Sequence, residues 1–209
     1  MIKLCVFDFD STLMDGETID ILAADFGVGD RVKELTAKAM RGELDFFESL
    51  LARASLLKAM PHSRVLELFE NLPLMKGAND LIAHLNSQNI LTLVFSGGFI
   101  EALNFAQQKL HFKAGFANFL HHKDGLLTGL VGGEIMQKDS KGTLLAKMKA
   151  VLNLAQSEVA CVGDGANDLT MFKESGLKIA FCAKEVLKKE ADICIDEKDL
   201  SKLKGVFNA

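Results

Sequence analysis

The run Ile2 to Phe7 is apolar on both faces apart from Lys3, and it ends abruptly on Asp8-Phe9-Asp10-Ser11-Thr12. A strand that is apolar on both sides needs cover on both sides, which calls for a parallel sheet between helical layers. Side chains alternate along a strand, so Asp8 and Asp10 are expected to leave the same side of the backbone where it runs out. Two such carboxylates crowd each other's ionisation unless a cation, a proton or a phosphoryl group shares the site. In an open α/β sheet the carboxyl ends of the strands form the ligand crevice. Taken alone, Asp-x-Asp after a strand reads equally as a helix cap and a turn. The residues downstream decide between the two.

The next run of this kind, 90–95, arrives only after roughly seventy residues of helical pattern, too many for a single crossover. That spacing predicts an inserted helical lobe over 14–75, within a core formed by 1–13 and 76–209. In the lobe, Ile19, Leu22, Ala23 and Phe26 recur at spacings of three and four before Gly27. Further helices are expected over 30–40, capped by Asp30, over 45–60, ended by Pro61, and over 63–72, with Pro73 marking the return. In the core, helices are expected over 79–86, 100–110, 141–152, 168–174 and 186–190, and strands over 159–162, 177–181 and 193–195. Lys123-Asp124-Gly125 between two alternating runs over 116–135 signals a β-hairpin. The alternation predicts an α/β fold: a doubly wound, Rossmann-like parallel sheet with an inserted helical-bundle cap and a hairpin decoration.

With 49% hydrophobic and 25% charged residues in 209, the chain can bury a full core, which excludes a disordered protein. The net charge of −4 and the lack of a basic block give no footing for nucleic acid or an anionic membrane. Cys5, Cys161, Cys182 and Cys194 show no ligand-like spacing and lie in or beside apolar runs, so reduced thiols and a cytoplasmic location are expected. No leader or membrane-length apolar run is apparent.

Three stretches fall where the Asp8/Asp10 site is expected. Ser96-Gly97-Gly98 follows a strand and precedes a helix, where a hydroxyl and free amides suit a phosphate, although such a tripeptide also makes an ordinary turn. Lys141 falls in a first helical turn, against the dipole, either as a solvated lysine or as a fixed charge for an anionic site. Gly163-Asp164-Gly165-Ala166-Asn167-Asp168 supplies a tight turn or, with Asp8 and Asp10, the oxygen ligands Mg²⁺ prefers. In the lobe, Arg53 interrupts an apolar helical stripe, a position also open to an arginine whose stem packs while its head reaches water.

In this order, DFDST, SGG, the lysine of KDSKGTLL and GDGAND resemble the four motifs of the haloacid dehalogenase-like phosphohydrolases, and the lobe resembles that family's small helical cap. The runs DFDSTLMDGETID, SLLARASLL, VFSGGF and GDGANDLTMFKESGLKIAFCAK are similar to the branch that hydrolyses O-phosphoserine, the last step of serine biosynthesis. The resemblance implies Asp8 as the nucleophile, esterified in passing, and Asp10 as general acid and then base. It implies Mg²⁺ held by Asp8, the Asp10 carbonyl and Asp164. Ser96, Gly97, Lys141 and Asn167 would hold the phosphoryl oxygens, with Asp168 behind Lys141. In the cap, Arg53 would pair the substrate carboxylate, Glu17 its ammonium, and Met40 and Phe46 would form an apolar wall. A phosphatase or phosphotransferase for another small phosphomonoester is the alternative. A monomer or homodimer acting on a small molecule is expected. Some members carry an amino-terminal regulatory domain; none precedes these motifs, so feedback through one is not expected.

Overall fold

A computed structural model describes residues 1–207, with the side chain of Met40 outside the described set. Strands β1 (Leu4–Phe7), β2 (Leu91–Phe99), β3 (Ala114–Lys123), β4 (Leu126–Gly133), β5 (Val159–Gly163), β6 (Leu177–Phe181) and β7 (Ile193–Ile195) form a single sheet. Its order is β4-β3-β2-β1-β5-β6-β7. Every neighbouring pair is parallel except the β3–β4 hairpin. β1, which begins the chain, therefore lies in the middle of the sheet. Its alternation then divides the core. Leu4 and Val6 join one apolar cluster, with Leu145 of α7 (Ser140–Leu152) and Met171 of α8 (Leu169–Lys173). Cys5 and Phe7 join the cluster on the other face, the two-sided burial that the sequence calls for.

That second cluster continues into the inserted helices α1 (Thr18–Asp25), α2 (Gly29–Met40) and α4 (His62–Glu70), and takes in Leu57 and Met60 just after α3 (Phe46–Ser55). Ile19, Leu22, Val32, Val65 and Phe69 pack there beside residues of α5 (Ala78–Ser87) and α6 (Ile100–Leu110). The Phe69 ring stacks on Phe99 with centroids 6.4 Å apart, fastening α4 to the end of β2. Burying a phenylalanine of this kind contributes about 1.5–3 kcal/mol.

Three local expectations change, and one element is added. Ser96-Gly97-Gly98 is not a turn: β2 runs through it to Phe99, its register with β3 broken by an irregularity between Phe95 and Phe99. Asp30 does not cap α2, whose N-cap is Val28 with no side-chain bond. The third cap helix stops at Ser55, five residues short of expectation, because Ala59 turns to φ +70° and donates its amide to the Leu127 carbonyl at 2.8 Å. A carboxyl-terminal 3₁₀ segment, Leu200–Phe207, lies against α5 and carries no periodicity the sequence reading used. All four cysteines are free thiols, but Cys194 is exposed despite its apolar setting. Among the described residues, no helix is long and apolar enough to cross a membrane.

Candidate active site

The carboxyl ends of β1, β2 and β5 meet below α1 and α3 around a cavity of about 140 Å³. Asp8, Asp10, Glu17, Phe46, Arg53, Gly97, Asp164 and Asn167 all line it. That volume suits a small metabolite and is too small for a drug-sized ligand. A wider groove adjoins it, and Phe46, Arg53, Asn167 and Lys184 line both.

Asp8 follows the last residue of β1, and its amide donates to the Val162 carbonyl at 2.9 Å, locking the carboxyl ends of β1 and β5 together. Its Oδ1 accepts from the Phe9 amide at 2.7 Å and lies 2.6 Å from Lys141 Nζ. Lys141 Nζ also donates to Asp168 Oδ1 at 2.6 Å. Asp168 Oδ2 in turn accepts from the Asp164 and Gly165 amides at 3.0 and 3.1 Å. Gly163 is required here, since a Cβ at that position would overlap the Asp168 carboxylate. Burial pulls the Lys141 ammonium down, but Asp168 and Asp8 more than offset it and hold the ammonium above its ordinary range. Burial, then Asp168 and Asp164, push Asp8 up against the pull of Lys141.

Asp10 lies outside the strand, in the turn that Ser11 makes at φ +59°. Its Oδ1 accepts from the amide of Thr18, the first residue of α1, at 2.7 Å, and its Oδ2 from Ser96 Oγ at 3.2 Å. The helix-capping reading and the catalytic reading of this aspartate therefore share one side chain. Burial first, then Glu17, lifts Asp10 to about 7 even though Thr18 and Ser96 favour its charged form. A carboxyl with that value can give a proton near neutrality and take one back. Glu17 is held by Ser11 Oγ at 2.8 Å.

Asp8, Asp164 and Asp168 offer carboxylate oxygens within 4.8 Å of one another. Asp164 is also raised to about 7, by burial and then by Asp168 and Glu17. Three clustered carboxylates against one ammonium leave uncompensated negative charge, which a hard cation with oxygen ligands would satisfy. Asp168 has both oxygens occupied by Lys141 and backbone amides, so the ligand-free carboxylate atoms belong to Asp8 and Asp164. The donor set fits a metal.

In the cap, the capping box of Asp45 and Glu48 fixes the start of α3, so that Phe46 and Arg53, two turns apart, both reach the cavity. The Phe46 Cζ lies 3.1 Å from where a Cβ of Gly97 would stand, so the cap rests directly on the β2 end. Arg53 Nε donates to the Ser49 carbonyl at 3.2 Å. Burial lowers its guanidinium while Glu17, Asp20 and Asp10 oppose that shift. Ser96 and Lys141 lie behind the cavity wall, and the Met40 side chain is outside the described residues. The sequence reading missed Thr18, Ser11, Lys184 and the buried Asn118. Thr18 had a signal, as the first residue after Glu17 in a helix start; Asn118 had none, being one polar residue within a hairpin strand.

A sheet with a carboxylate–lysine–carboxylate cluster at its carboxyl edge, under a helical insertion, is the architecture of a phosphoryl-handling hydrolase. The profile of the haloacid dehalogenase-like hydrolases matches residues 2–176. A phosphoserine phosphatase of Campylobacter jejuni subsp. doylei is 63% identical over 203 residues, 97% of this chain and 98% of that protein. A solved phospho-aspartyl intermediate analogue of phosphoserine phosphatase superposes with a TM-score of 0.92 at 44% identity, covering 98% of each chain. A substrate-bound phosphoserine phosphatase complex gives 0.92 at 44% identity, covering 99% of this chain and 98% of that one. This chain belongs to the haloacid dehalogenase-like hydrolases, in the group of the phosphoserine phosphatases.

Proposed function

We propose that this protein is a phosphoserine phosphatase that hydrolyses O-phosphoserine to serine and phosphate through an ester on Asp8. The observation that carries the reading is the Lys141 bridge between Asp8 and Asp168 beside an Asp10 lifted to about 7. Lys141 and the Phe9 amide hold the Asp8 carboxylate in place at its Oδ1 for attack on phosphorus. As the bond from the Asp8 carboxylate to phosphorus forms and the P–O bond to the seryl oxygen breaks, Asp10 gives its proton to that oxygen. Asp10, now a carboxylate, takes a proton from water, the water oxygen bonds to phosphorus, and the ester to Asp8 opens to release phosphate. Ser96, the Gly97 amide, Lys141 and Asn167 hold the phosphoryl oxygens, and Asp168 keeps Lys141 aimed at them.

Asp8, Asp164 and the Asp10 carbonyl would hold Mg²⁺, which when bound neutralises charge on the phosphoryl group. The segment 14–75 acts as a cap over the core of 1–13 and 76–209. Arg53 takes the substrate carboxylate, Glu17 its ammonium, and Phe46 excludes water above the Gly97 amide. Four cysteines with free thiols suit a reducing compartment such as the cytoplasm, and hydrolysis of O-phosphoserine would be the last step of serine biosynthesis.

The test is a panel of small phosphomonoesters assayed with and without Mg²⁺, together with mass spectrometry of quenched reactions. A phosphoryl adduct on Asp8 and a clear preference for O-phosphoserine are expected. Undiminished hydrolysis by Asp8→Asn would overturn the mechanism, and a flat panel would overturn the substrate.

A further inference from the structure

The hairpin of β3 and β4 touches both ends of the cavity. On the β3 side, Asn118 is fully buried, and its Nδ2 donates to the Gly97 carbonyl at 3.1 Å and the Ile135 carbonyl at 3.0 Å. Its Oδ1 accepts from the Ile135 amide at 3.0 Å, so both functional ends of this amide are satisfied. The backbone of the phosphoryl-binding strand is thereby tied to the hairpin at Gly97.

On the β4 side, the residues that follow α3 are stitched to the strand edge. The Ala59 amide donates to the Leu127 carbonyl and the Leu127 amide to the Met60 carbonyl, both at 2.8 Å, and the His62 amide to the Gly125 carbonyl at 2.9 Å. The rings of His62 and His122 stack across the same seam with centroids 3.8 Å apart. Two residues along the strand from Leu127, Gly129 adopts φ +82° beneath the last turn of α3. A Cβ there would stand 3.1 Å from the Lys58 Cβ, 3.2 Å from the Ser55 carbonyl oxygen and 3.3 Å from the Ser55 Cα, the last two being backbone atoms at the end of α3. Arg53 lies two residues before that contact, and its Nε bond to the Ser49 carbonyl is internal to α3. The direction of its guanidinium is therefore set by where α3 is seated.

We propose that the hairpin is a bracket fixing the distance between the phosphoryl end of the site at Gly97 and the carboxylate end at Arg53, with Gly129 as a positioning residue for selectivity toward O-phosphoserine. The inference rests on the reading of Arg53 as the carboxylate partner. Its test compares O-phosphoserine with O-phosphoethanolamine, which keeps the ammonium and lacks the carboxylate, in Gly129→Ala, Arg53→Ala and Leu130→Ser. Leu130 is 62% exposed beside Gly129 and serves as a hairpin change that leaves both activities intact.

Misplacing a binding group by a few tenths of an ångström is expected in Gly129→Ala to raise KM for O-phosphoserine about tenfold, with kcat and the phosphoethanolamine reaction within about twofold of wild type. Equal losses for both substrates, or none for either while Arg53→Ala discriminates between them, would overturn the bracket alone. If Arg53→Ala treats both substrates alike, the reading of Arg53 falls and the bracket with it. Should Gly129→Ala not fold, hydrogen exchange on the Asp8→Asn protein decides. O-phosphoserine is expected to slow exchange of the Ala59, His62 and Leu127 amides by about tenfold where phosphoethanolamine does not. Equal protection by the two ligands would overturn the proposal.

Discussion

At the core end of the cavity, Lys141 and Asp168 are 1% and 0% exposed, and each Asp168 oxygen is claimed by an ammonium or by backbone amides. At the cap end, Arg53 and Glu17 are each held by one hydrogen bond, to the Ser49 carbonyl and from Ser11 Oγ. The first arrangement is dry and over-determined, so its charges act at full strength and need no reorganisation as charge develops on phosphorus. The second is wetter and stands on an insertion that rests on the core through Phe46, Phe69 and the hairpin. In the proposed mechanism the bond-making carboxylates sit at or just past strand ends with Lys141 reaching them from α7, and the recognition groups sit on or at the start of inserted helices. A site divided in this way can change its substrate through the cap without disturbing its chemistry.

The largest effect that would break this contrast is expected at Lys141. Removing one member of a buried, hydrogen-bonded charge cluster costs about 3–5 kcal/mol, and losing a donor to the phosphoryl group costs roughly 10²–10³-fold in kcat. Lys141→Ala should therefore show both losses, in urea unfolding and in steady-state kinetics. Wild-type stability in that variant would mean that the cluster is not the rigid end of the site.

Metal removal comes next and carries a definite sign. Asp10 and Asp164 are both raised to about 7, chiefly by burial, so between the ordinary aspartate range and pH 7 the folded chain holds protons that the unfolded chain has released. The stability linked to those protons is present at low pH and is lost as pH rises through about 7. In EDTA the unfolding midpoint is expected to fall by on the order of 5 °C between pH 5 and pH 8. Mg²⁺, which favours the ionised carboxylates, should remove most of that fall. A midpoint indifferent to Mg²⁺ at pH 8 would argue against the carboxylate cluster as its site.

The smallest effect is expected at Glu17. It is exposed and joined to Ser11 by one bond, and Glu17→Gln keeps that bond while deleting the charge. KM for O-phosphoserine should rise by no more than about fivefold, the scale of an exposed charge pair. The pH at which Asp10 titrates should move down, because Glu17 is the second cause of its elevation. A loss as large as that of Lys141→Ala would erase the distinction between the two ends of the cavity.

Much of this site was legible before any fold. Asp8, Asp10 and Asp164 stand where buried-strand runs stop, Lys141 opens a helix against its dipole and Arg53 breaks an apolar helical stripe, but it is the resemblance to the four-motif phosphohydrolases that joins them into one site. β6 and β7 begin and end where their apolar runs do. What could not be read were the features that depend on a partner distant in sequence. Ser96-Gly97-Gly98 reads as a turn, and it stays extended because β3 and the Asn118 amide hold it. The helix expected to reach residue 60 gives way at Ser55 because Leu127 supplies a better partner for the Ala59 amide.

The sequence by itself determined the order of strands and helices along the chain, the four motifs and the lobe between the first and second of them, since local periodicity and the placement of charge and glycine are properties of neighbouring residues. The tertiary structure alone decided that Asp10 both caps α1 and faces the cavity, that Asp168 is saturated while Asp164 is not, and that a hairpin joins the two ends of the site. Each of those depends on which buried donor meets which acceptor, and a chain fixes that only once its desolvated polar groups have all had to find partners.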